Sequence, residues 1–91
     1  MKSVLVVDDN QELAENLAEI LEDEGCSVAL AHSGEEALEV SAARHFDLVL
    51  TDIRMPGING VELVRRLSAR DPHAKFLLMT AYTSDSLLRE A

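Results

Sequence analysis

The stretch Phe46–Gly60, FDLVLTDIRMPGING, constrains the fold more than any other part of the chain. It opens on Asp47-Leu48-Val49-Leu50, a short apolar run without helical spacing. Such a run suits a strand buried on both faces, as in a parallel sheet covered by helices. The pattern breaks at Thr51-Asp52, and Met55-Pro56-Gly57 forces a turn. A carboxylate at the carboxyl end of a central parallel strand points into the crevice where open α/β sheets bind ligands. Read alone, Asp52 serves equally well as the cap of the turn that follows it, a common use of Asp.

The rest of the chain supplies the partners of that strand. Ser3 to Val7 (SVLVV) reads as another buried strand and ends in Asp8-Asp9-Asn10. From Gln11 to Glu24, Leu13, Leu17, Ile20 and Leu21 line one face of an amphipathic helix, with Glu12, Glu15, Glu19 and Glu22 on the wet side. Gly25 is placed to end that helix in a left-handed cap. Ser27 to Ala31 alternates as a half-exposed edge strand does. Ser33 to Glu36 matches the capping-box spacing S-x-x-E and opens a second helix through Ala37, Leu38 and Val40. A third helix starts near Gly60, with Val61, Leu63, Val64 and Leu67 apolar, and Asp71-Pro72 ends it. Lys75 to Thr80 (KFLLMT) is a fourth apolar strand, and Thr83 or Ser84 can cap a helix beginning near Asp85. The order β-α-β-α-β-α-β-α implies one α/β domain over residues 1–91, a doubly wound parallel sheet with right-handed crossovers.

Composition narrows the function. Seventeen acidic residues against eight basic ones give a net charge of -9, which argues against binding nucleic acid through its phosphates. The same charge fits a protein that meets a basic partner or a cation. Aromatic residues are 3% of the chain with no Trp, so the core is aliphatic. Cys26 is the one cysteine, so no disulfide or cysteine metal cluster forms within the chain; preceding the edge strand, it reads as a small buried hydrophobe. The apolar run in MKSVLVVDD is far shorter than a signal peptide or a membrane span, which makes the cytoplasm the expected location and no membrane the expected partner.

Three expected strands end in polar residues where the apolar pattern stops: at Asp8-Asp9, at Asp52 and at Thr80. In a parallel sheet those ends share one edge, so three carboxylates and a hydroxyl converge. Clustered acids raise one another's pKa values, and a hard divalent cation such as Mg²⁺ removes that cost. The alternative is a set of separate, solvated acids at loop tips. His32, His45 and His73 lie on loops without metal-ligand spacing and read as surface residues.

VLVVDDN, DLVLTDIRMPGINGVEL and LLMTAY together resemble the receiver domain of two-component response regulators, and the resemblance covers the whole chain. It implies a flavodoxin-like fold with strand order 2-1-3-4-5. It implies that Asp52 is the phosphoacceptor, taking a phosphoryl group from a histidine kinase or a histidine phosphotransfer protein. By the same resemblance Asp8, Asp9, Asp52 and the backbone carbonyl of Arg54 form the Mg²⁺ site. Thr80 is then the switch hydroxyl, and the small Ala81 leaves room for the phosphoryl oxygens. The exposed glutamates of the first helix are an ordinary solvated face, though in receivers that helix commonly meets the phosphodonor.

The chain departs from the family in one respect. Receivers usually continue for roughly thirty residues more, through a fifth strand and fifth helix that carry a phosphoryl-pairing lysine and a switch aromatic. No Lys follows Lys75 here, so the expectation is a fragment of a receiver or a natural short form, ending early in its fourth helix. A fourth strand without its neighbour is an unprotected edge, which predicts a homodimer or larger assembly covering that strand and the Asp85–Ala91 tail. Two rival functions follow from the same residues. A haloacid-dehalogenase-like phosphatase needs an acid two residues after its nucleophile, where this chain has Arg54 after Asp52 and Asn10 after Asp8. A receiver-derived interaction module that is no longer phosphorylated is the other. The expectation is a signalling module, not an enzyme acting on external substrate.

Overall fold

A computed structural model describes residues 1–79. The elements are β1 (Ser3–Val7), α1 (Gln11–Asp23), β2 (Ser27–Ala31), α2 (Gly34–Ala43), β3 (Leu48–Asp52), α3 (Gly60–Arg70) and β4 (Lys75–Met79). All pairings are parallel and the strand order is β2-β1-β3-β4. Each strand, β1 to β4, lies where the apolar runs place it. The expected helix near Asp85 and the terminal Thr80 of the fourth strand lie outside the described residues.

β1 is central, and side-chain alternation divides its residues between two cores. Leu5 and Val7 pack with Ala37, Phe46, Val49, Leu63 and Leu67 under α2 and α3. Val4 and Val6 pack with Ala14 under α1. Helices therefore cover both faces, the flavodoxin-like arrangement. α1 lies over β1 and β2, and Leu77, which pairs with Leu50 on the α1 side of the sheet, is 56% exposed.

The caps are where the chain signals them. The Ser33 hydroxyl accepts from the Glu36 N–H at 3.0 Å. Gly25, at φ +92°, lets its own N–H reach the Glu22 carbonyl and the Cys26 N–H reach Leu21, closing α1 in a Schellman motif. The apolar face expected for α1 needs correction. Ala14 and Ala18 carry its buried line, Leu17 and Leu21 pack beside it, and Ile20 is 60% exposed. Small residues let the helix approach the sheet, and at about 100° per residue Ile20 lies roughly 200° around from Ala18. In α3 the same geometry buries Leu63 and Leu67 and leaves Val61 47% exposed. Cys26 is half-buried at the edge of the α1 core.

Candidate functional site

The carboxyl ends of β1 and β3 adjoin because the strands pair in register, Val7 beside Thr51. The residues that follow them, Asp8 and Asp9, thus face Asp52. One carboxylate oxygen from each of the three lies within 4.8 Å of the others. Asp8 is buried, Asp52 half-buried and Asp9 exposed, so the cluster opens to solvent on one side.

Local hydrogen bonds aim these side chains. Asp8 continues the β1–β2 ladder by donating its N–H to the Ala31 carbonyl at 3.1 Å, and its Oδ1 accepts from the Asn10 N–H at 2.9 Å. Asn10 then caps α1 by accepting from the Leu13 N–H. Asp52 Oδ1 faces the Arg54 N–H at 3.4 Å. The Asp52 backbone is fixed from two sides. The buried Thr51 hydroxyl donates to the Asp52 carbonyl at 3.0 Å. On the other side α3 begins against it: the Gly60 N–H donates to the Ile53 carbonyl at 2.8 Å, and a Cβ on Gly60 would fall 2.2 Å from the Asp52 carbonyl oxygen.

Burial pushes the Asp8 carboxyl above its ordinary value, the Asn10 N–H partly offsets that, and the charges of Asp52 and Asp9 push it further up. Three converging carboxylates, one of them desolvated, form a donor set that suits a hard, oxygen-seeking cation. The residues present therefore fit Mg²⁺. Beside them the loop after β3 forms a shallow cleft lined by Ile53, Arg54, Met55, Pro56, Asn59 and Val61.

The three expected acidic residues are together. Thr80 and Ala81 lie outside the described residues, as do Tyr82 and the Asp85–Ala91 tail. Thr51 and the close approach of Gly60 had no part in the reading of the site. A glycine at a helix start, where most residues serve better, was the available signal. His32, read as a surface residue, is half-buried and sets Nδ1 3.4 Å from the Asp8 carbonyl oxygen.

Residues 4–91 match the profile of the response regulator receiver domain. The chain belongs to that family, whose members are two-component signalling modules. A response regulator receiver protein of Anaeromyxobacter sp. (strain Fw109-5) is 48% identical over 91 residues, covering 100% of this chain and 38% of that protein. The chain thus spans well under half the length of that relative. Among solved structures, the response regulator TrrA of Thermotoga maritima in complex with Mg²⁺-BeF is 43% identical, with a TM-score of 0.85 over 92% of this chain and 73% of that one. TrrA in complex with the histidine kinase ThkA superposes with a TM-score of 0.83 at 44% identity, covering 90% of this chain and 71% of that one.

Proposed function

We propose that residues 1–91 act as a phosphoacceptor receiver domain, with Asp52 taking the phosphoryl group of a histidine kinase or histidine phosphotransfer protein. The observation that carries this reading is the meeting of Asp8, Asp9 and Asp52 at adjoining strand ends in a member of the receiver family. A relative solved with Mg²⁺-BeF, and solved again with a histidine kinase, supports it.

In this reading a carboxylate oxygen of Asp52 forms a bond to phosphorus, the P–N bond of the donor phosphohistidine breaks, and the imidazole departs with the bonding electrons. The product is an acyl phosphate on Asp52. Asp8, Asp9, Asp52 and the Arg54 carbonyl would hold Mg²⁺, which supplies charge neutralisation for phosphoryl transfer. The chain's own contribution is positioning. Thr51 and Gly60 fix the Asp52 backbone, and the Asn10 N–H holds Asp8. Thr80 and Ala81 are assigned the switch hydroxyl and the space for the phosphoryl oxygens. With Arg54 and Asn10 at the positions where a phosphatase needs its acid, the domain turns over no external phosphate ester. The net charge of -9 supports a domain that makes no direct contact with nucleic acid, and the proposed place of work is the cytoplasm, away from the membrane. The exposed apolar side of β4 favours self-association of the 91-residue chain.

Incubation with acetyl phosphate and Mg²⁺, followed by intact mass, tests the reading. The expected result is a gain of one phosphoryl group that is lost in Asp52→Asn. Label retained by that variant would place the acceptor elsewhere, and no label on the folded wild type would favour the interaction module.

A further inference from the structure

The end of the sheet opposite the acidic cluster holds a second set of charged groups, which the phosphoacceptor reading does not use. His45 lies in the turn between α2 and β3. Its Nδ1 contacts Asp71 Oδ2 in the turn after α3, and its Nε2 lies 3.4 Å from Asp47 Oδ1 at the start of β3. Neither carboxylate is free to turn away. Asp47 Oδ2 accepts from the Ser3 N–H at 2.8 Å and faces the Ser3 hydroxyl at 3.4 Å, and Asp71 Oδ1 accepts from the His73 N–H at 3.2 Å. The backbones interlock as well: the Asp47 N–H goes to the Ser3 carbonyl, and the Lys75 N–H to the Asp47 carbonyl.

A neutral imidazole has one N–H donor and one acceptor; only the imidazolium donates from both nitrogens. A ring set between two anchored carboxylates therefore matches one protonation state. In the other state, one nitrogen lone pair faces a carboxylate oxygen. We propose that His45, Asp47 and Asp71 form a pH-sensitive clamp that ties the α3–β4 turn to the starts of β1 and β3, closed when the His45 ring is protonated and loosened when it is neutral.

The other charged groups nearby are engaged elsewhere or offer no competing pair. The Arg44 guanidinium lies over the Phe46 ring, 4.7 Å from its centroid. Arg70 donates to the Leu38 carbonyl and the Ser41 hydroxyl at the end of α2. His73 and Lys75 reach the network through their backbone N–H groups. Among the described residues, the ion pairs of Asp47 and Asp71 are both with His45. The electrostatics agree in direction: the Asp71 hydrogen bond chiefly raises the His45 pKa, burial opposes it, and the Asp71 charge and then Asp47 add smaller upward pushes, leaving the ring above its ordinary value. The Ser3 N–H chiefly lowers that of Asp47. A histidine raised in the folded state stabilises fully below its ordinary value and loses that contribution as pH rises through the raised one. Asp47, being depressed, loses its contribution only as pH falls through its lowered value. The clamp therefore works in the window between the two.

The turn it holds borders a cavity of about 30 Å³ lined in part by Phe46, Leu67, Asp71 and Phe76, so the Ala74 and Lys75 amides report on its opening. The test follows these amides and the His45 ring by NMR between about pH 5 and pH 9, the range over which histidine changes charge, in the wild type, Asp71→Asn and His45→Gln. Expected are a His45 ring that titrates above its ordinary value and falls back in Asp71→Asn, and wild-type amide protection factors at Ala74 and Lys75 that drop as the ring deprotonates. In His45→Gln that pH dependence is lost. The clamp is overturned by a ring midpoint that Asp71→Asn leaves in place, or by protection factors that stay level through the ring titration. Should either variant fail to fold, the wild-type ring and amide titrations decide the matter alone, level protection refuting the clamp.

Discussion

Asp8 is 2% exposed and lies beside two further carboxylates. Its pKa is raised by burial first and by Asp52 and Asp9 after it. The cost of ionising it in the fold is therefore present above the raised value and is relieved as pH falls through it. Asp8→Asn keeps an oxygen for the Asn10 N–H and removes the charge. It should stabilise the protein in chelator-treated buffer by about 0.5–2 kcal/mol, the range of a well-placed single change. Asp9→Asn, at an exposed position, tests the cation instead. Wild type should gain about 2.7 kcal/mol at a hundred times the Mg²⁺ dissociation constant, and Asp9→Asn should lose most of that. Urea midpoints with EDTA and with millimolar Mg²⁺ read both effects. Equal midpoints for wild type in the two buffers would remove the cation from the site. The acids were legible in the sequence because apolar runs stop just before them. The His45 bridge was not: its partners stand two and 26 residues away, and no local pattern announces a pairing closed by the fold.

At the scale of elements, the start of α3 is the part the site tolerates changing least. The helix is capped by Asn59, whose side chain accepts from the Glu62 N–H at 2.9 Å, and its first residue, Gly60, leaves no room for a Cβ against the Asp52 backbone. The obstacle is main chain of a central strand, which cannot rotate aside. Gly60→Ala should therefore destabilise by about 1–3 kcal/mol through overpacking, although alanine is the better helix former. The strain falls on the Asp52 backbone, so phosphorylation by acetyl phosphate should slow as well. Thermal melts and labelling rates measured on the same samples check it, and a variant as stable and as quickly labelled as wild type would dismiss the contact. Element order, the Ser33 cap and the Gly25 terminator were readable because each is a local signal. The rotation of α1 was not. Ala14 and Ala18 are apolar but small, and the Leu13-Leu17-Ile20-Leu21 spacing pulls the inferred face toward bulk. The sheet selects instead the residues that let a helix come close, which leaves Ile20 in water.

At the scale of the whole molecule, apolar surface and net charge oppose each other. α1 covers β1 and β2, while on the same side of the sheet Leu77 is 56% exposed beside the half-buried Leu48 and Leu50. On the far face Leu78 is 42% exposed. Among the described residues β4 is an edge strand, and Lys75 is the charged side chain along it, a thin guard against pairing with another strand. Burying a leucine fully is worth about 1.5–3 kcal/mol, so two half-exposed leucines brought together across a symmetric contact contribute a few kcal/mol. A charge of -9 on each chain resists that contact at low salt, and screening at about 0.15 M ionic strength confines the repulsion to roughly 8 Å. The 91-residue chain should accordingly self-associate at high micromolar concentration, more strongly as salt is added, with β4 at the contact. Leu77→Lys, which replaces apolar surface with a charge on the sheet face, should shift it toward monomer without loss of the fold. Light scattering against concentration and salt measures both. A compact monomer under all these conditions, with slow amide exchange from Phe76 to Met79, would show that β4 is covered from within its own chain.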